Sequence, residues 1–418
     1  MISRDEFSKA TVEVLAKRVG NVCSNPACRR RTSGPHTSAE KAINIGVAAH
    51  ITAAAEGGPR YDASLSQEER CSAINGIWLC QVCAKLIDSD IKRFPIELLR
   101  SWKDLAERSA AEAIPAIDPS IRPVAVLERT LVGHTNFVWD VVITPDGRRV
   151  VSASNDKTVR LWDLASGNCL ATLSGHAAFV CSVSVSPDGT RIAAGASDGA
   201  IKVWELSSGN LLTEMHHGAR DAKVTWAPDG ATIASGGADG RLKIWHLADA
   251  TCRRSIAAHT APVLKVVWLA DGDRIVSVSA DRTARVCRSS SGLCLNVLEG
   301  HTGEVNSVAV SADQRRLVSA SQDCTVRIWD LDNGKCVGIL QGHCEVVWRV
   351  AVSPGGRLIA SGAADNTVRL WDLESHAFLQ ELRHPDCVAA VAFSPDGSKL
   401  AVGCDDSRVY VYRVRTLQ

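Results

Sequence analysis

The stretch that decides the fold runs Gly133-His-Thr-Asn-Phe-Val-Trp-Asp-Val-Val-Ile-Thr-Pro-Asp-Gly147, then Ser152-Ala-Ser-Asn-Asp156, then Val159-Arg-Leu-Trp-Asp163. It joins an entering histidine, an alternating apolar run, a turn such as Pro-Asp-Gly, a serine-containing run, an aspartate and an aromatic, and this pattern recurs seven times with variations. The histidines are His134, His176, His217, His259, His301, His343 and His384. The aspartates are Asp156, Asp198, Asp239, Asp281, Asp323, Asp365 and Asp406, and both series advance by 42, 41, 42, 42, 42 and 41 residues. Two markers on one period identify a repeated supersecondary unit. The aromatic place holds Trp162, Trp204, Trp245, Trp329 and Trp371, with Cys287 and Tyr412 in the fourth and seventh repeats. Short alternations such as Val-Arg-Leu-Trp-Asp-Leu at 159–164 predict half-buried strands, four to a period.

The Gly-His and Trp-Asp signatures at this spacing resemble the WD-repeat β-propeller family over about 295 residues. The resemblance implies an all-β, seven-bladed propeller over 124–418, closed so that no sheet edge is left open. Val-Leu-Glu-Arg-Thr-Leu at 126–131 precedes Gly133-His134 as Cys-Leu-Ala-Thr-Leu at 169–173 precedes Gly175-His176, so it is expected as the outer strand of the last blade. Seven evenly spaced copies of one His/Asp set fit a buried hydrogen-bond network rather than catalysis. The resemblance implies a series of His, Ser, Asp and Trp, complete in the sets led by His134, His217, His301 and His343. Ala194 interrupts the second set, Cys287 the fourth, and Val402 with Tyr412 the seventh, and these blades are expected to be softer. The ten propeller cysteines are expected mostly in the core, and no asymmetric cluster inside the ring stands out. By analogy with the family, residues flanking the first strand of each blade reach the narrow face. Phe137, Trp139, Phe179, Arg220 and Trp348 are thus candidate anchors for a protein partner, with Leu264, Glu304, Asn306 and Val346 beside them.

Residues 1–113 lack the repeat. Ser3 and Glu6 form a capping-box signature ahead of Phe7, Val12, Leu15 and Val19, which predicts a short helix. Cys23-Ser-Asn-Pro-Ala-Cys28 and Cys80-Gln-Val-Cys83 have the spacing of two knuckles of one structural Zn²⁺ site, and Cys71 falls outside it. Residues 42–51 predict a strand that reaches His50; a Gly/Pro-rich loop with Arg60 follows, then a second strand over 75–80 and a helix beginning at Ala84. A further helix is expected over 94–113, and three prolines within 114–123 mark a stiff linker.

This ββα order, with Ala-Ala-His-Ile at 48–51, Gly-Gly-Pro-Arg at 57–60, Asn-Gly-Ile-Trp-Leu-Cys at 75–80 and Leu-Ile-Asp at 86–88, resembles the HNH endonuclease family over roughly residues 20–110. The resemblance implies a multidomain chain: a small α+β, zinc-containing ββα-metal domain followed by the propeller. Phosphodiester hydrolysis near neutral pH needs a base to deprotonate water and a hard divalent cation to offset phosphate charge. On this resemblance His50 is the general base, Asp88 a ligand of a catalytic Mg²⁺ or Mn²⁺ at the same site, and Asn75 the residue that fastens the loop to the histidine strand. Arg29, Arg30, Arg31 and Arg60 form a basic patch able to follow a DNA backbone. One place departs from the family: Ala84 stands where a histidine is usual, four residues before Asp88 and on the same helical face. Asp90, two residues on from Asp88, faces elsewhere.

Across 418 residues, 47 Lys+Arg oppose 46 Asp+Glu, a net charge of +1 that excludes a globally basic nucleic-acid coat. Any attraction to DNA must be local. No apolar run approaches the ~18 residues of a membrane span, and the charged N-terminus lacks a secretory h-region, so the 15 cysteines are expected in a reducing cytoplasm as thiols or metal ligands. Together these readings predict a cytoplasmic, metal-dependent DNA endonuclease whose propeller recognises a protein partner, a pairing that suits an antiphage defence effector. The alternative is a non-catalytic zinc-module adaptor that binds nucleic acid or protein, and Ala84 favours it.

Overall fold

A computed structural model describes residues 124–415 throughout and, ahead of them, 33–35, 42–44, 46–50, 64–66, 69, 76–80, 84 and 95–112. The chain divides into two compact units, Met1–Arg122 and Pro123–Gln418.

In the second unit the 41- to 42-residue period folds into seven four-stranded antiparallel sheets. In the first blade the strands are Val138–Ile143, Arg149–Ser154, Val159–Asp163 and Cys169–Leu173. They pair in chain order because each connection is a tight turn, such as the one in which Gly147, at φ 68°, donates its N–H to the carbonyl of Thr144. Burial falls from the inside outward: Arg149–Ser154 is almost wholly buried, whereas Cys169–Leu173 buries only Leu173. The first strand of each blade touches the first strand of the next, and that of the seventh blade, Val388–Phe393, touches Val138–Ile143 of the first. The ring is closed.

Closure uses a strand from the start of the unit. Ala125–Val132 pairs antiparallel with Arg408–Val414, in register from Arg408 opposite Val132 to Val414 opposite Ala125. It completes the last blade, as the match between 126–131 and 169–173 predicts. Neighbouring side chains lock it on both sides. The Gln380 amide of blade six brackets Ala125, accepting from its N–H at 2.8 Å and donating to its carbonyl at 2.9 Å. Arg129 donates to the Ala165 and Ser166 carbonyls of blade one, both at 2.7 Å. Gly403 shows how closely the joined blades pack: a Cβ there would lie 2.8 Å from Cγ1 of Val138.

In the first unit, Ser33–Pro35 pairs with Ala42–Asn44, and Gly46–His50 pairs antiparallel with Gly76–Cys80, with His50 opposite Gly76 and Gly46 opposite Cys80. The single strand expected over 42–51 is therefore two strands with different partners. Helix Ile96–Glu112 touches strand Gly76–Cys80, and Leu99, Ile77 and Leu79 are fully buried. Pro95 stands immediately ahead of that helix, where its missing N–H removes no helical bond. The helix expected near 3–20 and the linker 114–123 lie outside the described residues. Among the described residues no helix is long and apolar enough to cross a membrane.

Candidate functional site

The repeated histidines are structural. In blade one the Trp162 indole donates to Ser152 Oγ at 2.8 Å, Ser152 meets His134 Nε2 at 2.7 Å, and His134 Nδ1 meets Asp156 Oδ2 at 2.7 Å. An indole can only donate and a carboxylate can only accept, so the serine and the imidazole link a donor at one end of the series to an acceptor at the other. Blades five and six repeat it through Ser319 and Ser361. Blade three uses the opposite ring face, with Nδ1 of His217 on Ser235 and Nε2 on Asp239. Burial alone would raise the Asp156 carboxyl, but hydrogen bonds from His134 and Thr158 hold it well below the usual carboxylate range.

The three interrupted sets differ as their sequences require. With Ala194 in place of serine, both ring nitrogens of buried His176 lack partners among the described residues, and among them His384 keeps only a 3.3 Å contact with the Tyr412 hydroxyl. Burial depresses both imidazoles to about 4. Cys287, where a tryptophan is usual, faces Cys294 on the adjacent strand. Two outcomes are expected. Ala194→Ser should stabilise the protein by about 1 kcal/mol in urea denaturation, because it supplies the missing partner. Between pH 6.5 and 4 the unfolded state protonates His176 and His384 while the folded state does not, so stability should fall with pH across that window. The loss is on the order of 3 kcal/mol for each histidine. Asp405, raised to about 6 by burial and the charge of Asp386, works in the opposite sense and flattens the decline. Melting curves between pH 7 and 4 measure the net slope.

A second arrangement is not periodic in chemistry. In six blades the first strand carries a β-bulge at its second residue, and the residue after the bulge is re-aimed. The seven equivalent positions, each opposite the residue after the central serine site, are Asp140, Ser182, Lys223, Lys265, Ser307, Arg349 and Ala390. They form one layer around the axis. Lys265 Nζ of blade four lies 3.0 Å from Asp140 Oδ2 of blade one, and Arg349 Nη2 of blade six lies 3.5 Å from Asp140 Oδ1. Side chains from blades one, four and six can meet only across the centre. Burial depresses the Lys265 ammonium despite Asp140, whereas Lys265 and Arg349 keep the Asp140 carboxyl low against its burial. The sequence carries a signal for this layer, six residues ahead of each turn aspartate and of Gly355 in the sixth blade. The expectation of a ring without an asymmetric cluster is thereby corrected.

The candidate partner anchors lie beside this layer in the chain. Phe137 is 41% exposed, Arg220 is exposed, and Trp139, Phe179 and Trp348 are half-buried. Trp139 and Phe179, from adjacent blades, have ring centroids 6.4 Å apart. The buried Trp139 indole nitrogen has no partner among the described residues, while the Trp139 carbonyl accepts from Arg349 at 3.0 Å. Asn306 is not a surface residue, since it is 5% exposed and its amide donates to Val347 of the next blade at 3.0 Å. The expectation of core cysteines also changes: only Cys181, Cys287 and Cys404 of the ten free propeller thiols are buried.

Of the N-terminal candidates, His50 ends strand Gly46–His50 and Cys80 ends strand Gly76–Cys80. The register sets His50 opposite Gly76, the neighbour of Asn75, and Ala84 is helical four residues after Cys80. Cys23, Cys28, Arg29, Arg30, Arg31, Arg60, Asn75, Cys83 and Asp88 lie outside the described residues. Among the described residues no three metal-ligating side chains gather.

Comparison with known proteins places these observations. The sequence profile of the family described as "WD domain, G-beta repeat" matches residues 125–163, 167–205, 211–246, 250–287, 292–330, 334–372 and 377–413. A 49-residue stretch is 55% identical to small ribosomal subunit protein RACK1 of Caenorhabditis elegans, covering 12% of this chain and 14% of that one. Another of 53 residues is 40% identical to the ribosome biogenesis protein BOP1 homolog of Drosophila ananassae, covering 12% and 7%. A third, of 44 residues, is 52% identical to an uncharacterized WD repeat-containing protein of Synechocystis, covering 10% and 13%. Each match spans a small part of the relative's length.

Proposed function

The chain belongs to the WD domain, G-beta repeat family, and from that premise we propose that its propeller docks a protein partner while the N-terminal module is a metal-dependent HNH endonuclease that cleaves DNA. Support for the docking role is exposed Phe137 and the paired rings of Trp139 and Phe179 from adjacent blades, with exposed Arg220 and half-buried Trp348 at the first strands of other blades of the closed ring. The observation that carries the nuclease reading is the strand pair Gly46–His50 and Gly76–Cys80, followed by a helical residue at Ala84. That is the ββα order in which a strand-end histidine serves as base, and the register sets His50 opposite Gly76, which follows Asn75 in the sequence.

In this reading His50 removes a proton from the attacking water, Asn75 holds the loop against the histidine strand, and Arg29, Arg30, Arg31 and Arg60 position the DNA backbone. A bound Mg²⁺ or Mn²⁺ supplies charge neutralisation at the phosphate. The carboxylate of Asp88 is an oxygen donor suited to such a cation, at the same site as the His50 base. Four thiolates, Cys23, Cys28, Cys80 and Cys83, suit a structural Zn²⁺, and Cys80 stands at the end of strand Gly76–Cys80. The ten propeller cysteines are all free thiols, which supports a reducing, cytoplasmic setting. Control of a nuclease by a recognition platform suits antiphage defence.

Helical Ala84, in the place of the family's histidine, supports a second reading, a zinc-module adaptor without cleavage. The two readings share the zinc site and differ in turnover. We expect about one Zn²⁺ per purified chain by elemental analysis, lost in the Cys80→Ser/Cys83→Ser double variant, and plasmid nicking that requires added Mg²⁺ or Mn²⁺. Zinc binding without nicking under either metal supports the adaptor instead.

A further inference from the structure

The layer at the centre of the ring has more positive charge than it can pair. Asp140 is its one carboxylate, and Lys265 and Arg349 share it at 3.0 and 3.5 Å. The charged groups that act on Lys265 are Asp140, Arg349 and Lys223, so a third cation stands within electrostatic reach. Lys223 forms no ion pair among the described residues, and it holds in blade three the register position that Lys265 and Arg349 hold in blades four and six. Arg349 is 9% exposed, and its buried Nε has no partner among the described residues. Ser182 and Ser307 offer no counter-charge, since their hydroxyls accept from the N–H groups of Val224 and Val350 on the following blades. Three cations against one carboxylate leave an excess of two positive charges in a layer where Arg349 and Asp140 are buried and Lys265 and Lys223 are half-buried. Burial of unpaired charge is strongly unfavourable, so such a site gains most from a ligand that brings negative charge and several acceptor atoms.

We infer that the central layer of the propeller binds an oxyanion, held by Lys223, Lys265 and Arg349, with Asp140 competing for the same cations. Guanidinium and ammonium donors directed from three blades suit a phosphate or carboxylate group, which can accept from each of them. The oxyanion is either free in solution or carried on the side chain of a docked partner, because Trp139 and Trp348 immediately precede Asp140 and Arg349 in their strands.

The test is a calorimetric titration of the full chain with inorganic phosphate, at ionic strength held constant with chloride. A saturable heat with about one site per chain is expected. Lys223→Met should weaken binding roughly tenfold or more; this half-exposed position tolerates substitution better than Lys265, and a melting curve confirms that the variant is folded. Asp140→Asn should tighten binding by a similar factor, because it removes the competing carboxylate. A parallel titration with O-phosphoserine separates the sources: equal affinity assigns a free oxyanion, and tighter binding assigns a side-chain group. Absence of saturation with both ligands in the wild-type chain, or unchanged affinity in folded Lys223→Met, overturns the proposal.

Discussion

Deletion of residues 124–132 is expected to abolish recovery of a folded, monomeric propeller. The strand Ala125–Val132 contributes the outer ladder of the seventh blade along seven registered pairs, and it buries Leu131 and Ala125 to 1% and 3% exposure. At about 1 kcal/mol net for each ladder hydrogen bond and about 2 kcal/mol for the leucine, the loss is on the order of 10 kcal/mol. A typical domain is stable by only about 5–15 kcal/mol. The deletion also bares the edge of Arg408–Val414, a ready template for intermolecular pairing. Leu131→Ala is a graded version, expected to cost about 2–5 kcal/mol while leaving the ladder intact. Size-exclusion chromatography and thermal melting decide the matter. A monomeric deletion variant that melts cooperatively at the wild-type midpoint would show that the ring does not depend on this closure.

Much of this architecture is legible in the sequence because the propeller repeats its chemistry as well as its length. The His and Asp series mark each blade, and the hydrogen-bond relay explains why Ser152, Ser235, Ser319 and Ser361 fall where they do. The closing strand is visible because 126–131 has the composition of an outer strand and sits at the same distance from its Gly-His. Cross-ring chemistry is harder to read. The period assigns Asp140, Lys265 and Arg349 to equivalent positions, but it does not reveal that side chains 125 and 209 residues apart reach one another over the axis. The cysteines mislead for a related reason. Cys169, Cys252 and Cys336 lie in strand-like runs, yet those runs are outer strands with solvent on most of their surface. In the N-terminal module, alternation over 42–50 marks β-structure but does not show that 42–44 and 46–50 pair with different strands.

His50→Ala carries the largest expected effect on activity. A positioned general base typically contributes a factor of about 10²–10⁴ to the rate, and no other histidine occurs in residues 37–133 to replace it. Its strand pairs with Gly76–Cys80, which also touches helix Ile96–Glu112, so removal of the imidazole should leave the backbone frame and the proposed zinc site in place. The loss should therefore appear in turnover with zinc content and melting temperature unchanged, which separates a catalytic role from a structural one. Replacement of Ala84 by histidine is the complementary change, since it restores the second helical donor four residues before Asp88.

The most direct measurement is the rate of supercoiled plasmid nicking by the purified full-length chain with Mg²⁺ or Mn²⁺, beside His50→Ala under the same conditions. Metal-dependent nicking that falls by about 10²–10⁴ in the variant is the predicted result. Nicking at an equal rate in His50→Ala, or none by the wild-type chain with either metal, would contradict a nuclease built on that histidine.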